Sequence, residues 1–393
     1  MKINIASEKI ENVLNRGVNQ VLPGRKGLKK LIQKRKIKVY LGIDPTAPRL
    51  HLGHTIPLRK LQEFADLGQK TVLVIGTGTV LAGDPSLRSE ARPLMSKEKV
   101  ERNIKRWKRQ AGKILDFSKV KIKYNGDWLL KLKLEDIVKI ASHISAVKLF
   151  QRETFQRRIK TGQTVWAHET LYPLLQGYDS VFLNVDLEIG GTDQTFNMLM
   201  GRELLQKMRR KEKFVLTCPM VLGIDGRPMS KTTGNCIWIE DSAEEMFGKI
   251  MSIPDDLIFS YFQLLTKVPL AEIEKIKKIK PKDAKTRLAK EIVTIYHGEK
   301  AAGTAKKGFE RVFREKKLPK VIEKIKVKEK KMNILDLLVR TKLASSKSEA
   351  KRLVLQKGVE VDGKIEDDWC KVIEIKKDQV LRVGKRRFVR VSN

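Results

Sequence analysis

Cysteine is nearly absent from this chain. Cys218, Cys236 and Cys370 are its three, far apart and with no C-x-x-C pair. That excludes a disulfide framework and a thiolate zinc site, and reduced, structural thiols are expected. Long apolar runs are also missing: nothing approaches the ~18–20 residues that span a bilayer. The first residues, Met-Lys-Ile-Asn-Ile-Ala-Ser-Glu, lack the apolar core of a signal peptide. A cytoplasmic protein is expected. Acidic residues are outnumbered, 46 against 82 Lys plus Arg, for a net charge of +36. Such an excess either attracts a polyanion, with strong salt dependence, or reflects a lysine-rich composition throughout. Hydrophobic residues at 41% of 393 are enough for two or three domains with cores of their own.

What is present is most informative in Tyr40-Leu-Gly-Ile-Asp-Pro-Thr-Ala-Pro-Arg-Leu-His-Leu-Gly-His54. Val39 to Ile43 reads as a buried strand end, followed by a Pro-broken loop. His51, Gly53 and His54 then open an amphipathic segment. A helix start carries exposed N–H donors and positive dipole, so imidazoles and backbone there suit an anion. The glycine admits a nucleoside close to the backbone.

Downstream, Leu58, Leu61 and Ala65 recur at helical spacing and Gly68 stops the helix, with Pro57 placed in the first turn. Thr71-Val-Leu-Val-Ile-Gly76 is a continuous apolar run, as in a strand covered on both faces. This strand–helix–strand pattern predicts a Rossmann-like α/β fold, a doubly wound parallel sheet with ligands at the carboxyl ends of its strands.

The expected organisation is a helical leader over 1–37 and a catalytic domain over 38–240 with a basic helical insert at about 95–160. A helical domain over 241–316, a charged linker over 317–331 and a small α+β unit over 332–393 complete it. Val181 to Ile189 alternates as a strand ending at Gly190-Gly191, and Phe214 to Leu222 reads as another. In the last unit, Ser346-Lys-Ser-Glu349 fits a capping box and Val359 to Ile365 a hairpin with an Asp-Gly turn.

Tyr172, Gln176 and Asp179 stand at i, i+4 and i+7, on one helical face. Phenol, amide and carboxylate together either hold an amino acid or form a solvated stripe. Asp179 opposes the helix dipole and calls for compensation. Asp84, in Gly-Asp-Pro-Ser, is a turn former that is also placed to pair with an ammonium. Asp193 and Gln194 follow a strand, where an acid accepts from ribose hydroxyls or caps a helix. Arg227-Pro-Met-Ser-Lys-Thr-Thr-Gly-Asn235 is a basic loop whose lysine suits a pyrophosphate.

Taken in this order, the motifs closely resemble those of the bacterial tyrosyl-tRNA synthetases, class I aminoacyl-tRNA ligases. His51-Leu-Gly-His54 resembles the HIGH signature and Met229-Ser-Lys-Thr232 most of KMSKS. The resemblance runs from about Lys38 to the C-terminus, whose last unit is similar to the alpha-L RNA-binding fold. It implies activation of L-tyrosine by ATP, with Mg²⁺ accompanying the nucleotide and no structural metal, and transfer to tRNA(Tyr). Tyr40 and Asp179 would bind the substrate phenol, and Asp84, Tyr172 and Gln176 its ammonium. Gln194 would lie near the reacting carboxylate and Asp193 on the ribose. Thr46, His51 and His54, with Arg88, Arg92 and Lys231, would serve catalysis around the phosphates. Asp44, Gly53, Gly191, Met229 and Ser230 complete the implied ATP site. The helical domain would bind the anticodon arm, and the insert would form a homodimer interface.

Departures from the pattern are Pro228 in place of the first KMSKS lysine, with Arg227 the nearest substitute, and Thr77 and Leu87. A tryptophanyl relative shares the fold, but the Tyr40/Asp179 pair and the C-terminal unit argue against it. A non-catalytic RNA-binding descendant is opposed by His51, His54, Asp193 and Lys231.

Overall fold

The computed structural model describes residues 7–86, 96–229, 233–314, 322–327, 329–384 and 387–392. By internal packing the chain forms two compact units, Met1–Ser242 with Lys249–Gly298, and Ala243–Gly248 with Glu299–Asn393. The division falls inside the expected helical domain and assigns its halves to different units.

The first unit is built on six strands: β1 (Gln20–Leu22), β2 (Lys38–Ile43), β3 (Lys70–Ile75), β4 (Val120–Tyr124), β5 (Leu187–Gly191) and β6 (Phe214–Cys218). They lie in the order β1-β6-β5-β2-β3-β4. β2 to β6 are parallel, and β1 adds antiparallel to β6 with Val21 opposite Leu216. The sheet is therefore parallel with one antiparallel edge. β2 lies between β3 and β5, so the chain reverses its winding at β2/β5 and leaves a crevice beyond those two strand ends. Val39, Tyr40, Val74, Leu187 and Val215 are all 0% exposed, as a sheet covered on both faces demands.

Four helices pack around the sheet, α1 (Ser7–Asn15), α2 (Leu52–Asp66), α3 (Ala167–Leu183) and α4 (Thr195–Arg209), of which α2 and α3 line the crevice. α2 packs on β2, β3 and β5 and ends at Gly68, whose φ of +72° only glycine adopts freely. α3 and α4 cross closely because two glycines meet: a Cβ on Gly177 would stand 3.2 Å from the Gly201 Cα. α1 is tied down by cations. Buried Lys60 donates to the carbonyls of Val13 and Arg16, and the Arg16 guanidinium to those of Phe262, Gln263, Thr266 and Val268.

Several expectations are corrected here. The leader is not wholly helical, because β1 lies within it and completes the sheet edge; three residues are too few to show a period. The 95–160 insert contains β4, whose Lys121 and Lys123 alternate with Val120 and Ile122. Val181 and Leu183 belong to α3, and the strand begins only at Leu187; apolar residues two apart at a helix end mimic strand alternation. Pro57 is the sixth residue of α2, beyond its first turn.

The second unit carries β7 (Glu323–Lys326), β8 (Lys331–Asn333), β9 (Val359–Val361), β10 (Lys364–Glu366), β11 (Val372–Glu374), β12 (Gln379–Val383) and β13 (Arg387–Ser392). The order is β10-β9-β12-β13-β7, with β11 and β8 paired separately. β7 runs parallel to β13, so the expected linker contributes a strand. Asp362 and Gly363 form the β9–β10 turn with φ of 48° and 80°. Leu337, Val354, Leu381 and Val391 lie in this unit's own core. Ser346 caps the helix Lys347–Leu355, accepting from the Glu349 N–H at 3.2 Å. The Glu349 carboxylate accepts from the Ser345 N–H, one residue earlier than a capping box places it.

Candidate active site

The crevice at the ends of β2 and β5 is a cavity of about 740 Å³. It is lined by Asp44, Thr46, His51, Gly53, His54, Asp84, Tyr172, Gln176, Asp179, Gly191, Asp193, Gln194 and Met229, together with Thr79, Ser86, Asn125 and mainly apolar groups. Thirteen residues singled out from separate stretches of sequence thus converge. Arg88, Arg92, Ser230 and Lys231, with Leu87, lie outside the described residues.

The His51-Leu-Gly-His54 stretch starts α2 at the positive end of its dipole. His54 Nδ1 accepts from the His51 N–H at 3.2 Å, and the two rings lie 3.8 Å apart. Gly53 leaves room for the His51 ring, since a Cβ there would stand 3.0 Å from it and the ring would have to shift. The loop before it is held by the helix Lys97–Ala111. Asn103 Nδ2 and Trp107 Nε1 donate to the carbonyls of Pro45 and Ala47, and Gln110 accepts from Leu50 N–H and donates to the Pro48 carbonyl. One face of that basic helix is therefore a scaffold for the loop. Sequence reasoning missed it, although Asn103, Trp107 and Gln110 stand at helical spacing among lysines and arginines.

Asp44 accepts from Thr79 Oγ1 at 2.7 Å and from the Tyr172 hydroxyl at 3.0 Å. Asp84 serves its turn, accepting from the N–H and Oγ of Ser86, and also meets Gln194 Nε2 at 3.0 Å. Buried Arg152 stands 3.6 Å from Asp84 and bonds Ser86 and Asn197, a cation behind this acidic corner. Burial raises the Asp193 carboxyl above its usual range, against a 2.9 Å hydrogen bond from Gln194.

Asp179 lies at the floor, 2% exposed. Asn125 Nδ2 donates to it at 3.0 Å and Trp128 Nε1 at 2.8 Å. These two bonds are the compensation its place in α3 requires. Burial still dominates, and the carboxyl is pushed up to about 8. Asn125 and Trp128 were not singled out from sequence, though Tyr-Asn-Gly-Asp-Trp directly follows β4 at a strand's carboxyl end.

Tyr40 lies behind the cavity wall. It is 0% exposed and does not line the cavity. Its ring packs with Val72, Val74, Trp128, Leu129, Leu183 and Val185, and its hydroxyl bonds Ser180 Oγ at 2.9 Å. Arg227 is exposed and is not among the residues lining the cavity. Asp225 closes the base of that loop, accepting from Arg227 N–H and Asn235 Nδ2. Among the described residues no three His, Cys, Asp or Glu side chains are grouped to hold a metal ion.

Comparison with known proteins agrees with this geometry. Residues 32–314 match the family described as tRNA synthetases class I (W and Y), and residues 314–391 the tyrosine–tRNA ligase SYY-like C-terminal domain. A tyrosine–tRNA ligase of Thermotoga maritima is 44% identical over 387 residues, 97% of this chain and 96% of that protein. One from Moorella thermoacetica is 40% identical over 96% of this chain and 94% of its own length. The fold matches a tyrosyl-tRNA synthetase complexed with L-tyrosine from Archaeoglobus fulgidus, with a TM-score of 0.62 and 21% identity over 76% of this chain and 99% of that one. A C-terminally truncated mitochondrial tyrosyl-tRNA synthetase of Aspergillus nidulans gives a TM-score of 0.67 at 22% identity, over 78% and 94%. With its two domains matched in succession and its relatives covered almost end to end, the chain belongs to the tyrosine–tRNA ligase family of class I tRNA synthetases.

Proposed function

We propose that this chain activates L-tyrosine with ATP and transfers the tyrosyl group to the 3′ end of tRNA(Tyr). The observation that carries the reading is the convergence of Asp179, Gln176, Asp84, Asp193, His51 and His54 on one cavity. The tyrosine carboxylate attacks the α-phosphate in line and pyrophosphate leaves. The tRNA ribose then takes the acyl group from the adenylate. No covalent bond to the enzyme is needed, so catalysis is positioning and charge stabilisation.

In this reading the substrate phenol donates to Asp179. Asn125 and Trp128 each donate to one Asp179 oxygen, and even the protonated carboxyl keeps acceptor capacity beyond those two bonds. The ammonium sits among Asp84, Tyr172 and Gln176, and Gln194 lies by the carboxylate. Asp193 and Gly191 take the ribose, while Asp44, Thr46, His51, Gly53 and His54 border the phosphates. Met229, Ser230 and Lys231, with Arg88 and Arg92, close on pyrophosphate. Mg²⁺ travels on the phosphates as the nucleotide's counterion.

The chain is read as a cytoplasmic homodimer. Exposed Leu130, Leu134, Val138, Leu171 and Phe182 supply apolar surface for a second copy. No helix among the described residues is long and apolar enough to cross a membrane. For tRNA, the second unit offers Lys347, Arg352 and Arg387, with Lys351 Nζ 3.6 Å above the Trp369 ring. Tyrosine-dependent exchange of pyrophosphate into ATP tests the activation step. Its absence, with tRNA still bound, would make the chain an RNA-binding protein and no ligase.

A further inference from the structure

Behind the cavity wall lie four buried polar side chains to which the proposed chemistry gives no role. Lys213, Glu188, Ser180 and Tyr40 are each 0–1% exposed. The Lys213 ammonium bonds the Glu188 carboxylate of β5 and reaches Ser180 Oγ at 2.9 Å. Ser180 in turn bonds the Tyr40 hydroxyl at 2.9 Å. The pair fits because Gly201 has no side chain: a Cβ there would stand 2.6 Å from Lys213 Nζ. Burial pulls the Lys213 ammonium down, and Glu188 opposes that. A buried ion pair stabilises poorly compared with apolar side chains of equal volume. What Glu188 touches besides Lys213 is therefore the informative part.

Its other oxygen accepts from Gln176 Nε2 at 3.1 Å. An ionised carboxylate can only accept, so the Gln176 amide must turn its NH₂ toward Glu188. The opposite end, Oε1, is buried without a hydrogen-bond partner among the described residues, on a side chain that lines the cavity. We propose that Glu188, held by Lys213, is a positioning residue that fixes the Gln176 amide so that its carbonyl oxygen receives the ammonium of the amino acid. This rests on the ammonium site described under the proposed function. A neutral amide at position 188 donates as well as accepts, so Gln176 would be free to flip and turn its NH₂ toward a cation.

The test uses the full chain and two ligands with the same phenol, tyramine with an ammonium and 4-ethylphenol without. The wild-type protein binds tyramine more tightly. In Glu188→Gln, tyramine binding weakens about tenfold while 4-ethylphenol changes by less than about twofold, the scale of one hydrogen bond to a charged group. KM for tyrosine in pyrophosphate exchange rises in step, with KM for ATP and kcat near wild type. The double variant Glu188→Gln/Lys213→Met removes both charges together, so no ammonium is left stranded. It keeps the fold, followed by thermal melting, and shows the same selective loss. Equal losses for both ligands, or an unchanged tyramine preference in the double variant, overturn the proposal. A wild-type protein with no preference for tyramine overturns the ammonium site itself, a result separate from any variant.

Discussion

The Trp128 indole donates to the Asp179 carboxylate at 2.8 Å, joining the turn after β4 to the floor of the crevice in α3. Asn125 adds a second donor from the same turn. The acid is thereby fixed with acceptor capacity left over, at a depth where an unpaired carboxylate would not persist.

Selection of tyrosine over phenylalanine follows from that arrangement. Asp179→Ala removes the buried acceptor assigned to the phenol and leaves Asn125 and Trp128 unsatisfied. The kcat/KM preference for tyrosine in pyrophosphate exchange should fall about 5- to 150-fold, the range for leaving a buried polar group unsatisfied. KM for ATP should stay near wild type. Equal losses for both substrates would contradict the role.

Asp179 also gives the fold a pH dependence of definite sign. Its folded pKa of about 8 lies above the ordinary value of 3.8, so between them the folded chain keeps a proton that the unfolded chain has released. This contribution to stability is fully present below about pH 4 and is lost as pH rises through about 8. Asp179→Asn cannot titrate. The melting temperature of the wild type minus that of the variant should therefore decline from pH 5 to pH 8. A flat or rising difference would contradict a protonated Asp179.

The α3–α4 crossing rests on absent side chains. Gly201→Ala places a methyl 2.6 Å from Lys213 Nζ and 3.3 Å from the Gly177 Cα. The expected cost is about 1–3 kcal/mol, as for other overpacked cores, read as a lower melting temperature. Gly303, which has open space around its Cβ position, should accept alanine without loss.

The second unit has its own core, and the cavity is lined wholly by the first. Deleting residues 322–393 should spare pyrophosphate exchange and weaken tRNA binding, with a smaller salt dependence from the lost cations. Lost exchange activity would contradict independent units.

Much of this site was legible in sequence because motif residues sit at strand ends and helix starts, where backbone geometry aims them into the crevice. Asp44, His51 and Asp193 are such cases. The burial of Tyr40 could not be read from its motif, because packing against Val72 and Trp128 decides it. Glu188 and Lys213 were illegible, since a charge in β5 and one just before β6 signal nothing until the sheet brings them together. β1 and β7 were missed for the same reason. Short strands owe their existence to a neighbour, and only the fold supplies one.

The most direct measurement is pyrophosphate exchange by the intact protein with tyrosine, phenylalanine and tryptophan offered separately. Exchange should depend on tyrosine, with the other two far behind. Exchange driven equally well by tryptophan or phenylalanine, or by none of the three, would contradict a cavity shaped around a phenol at Asp179.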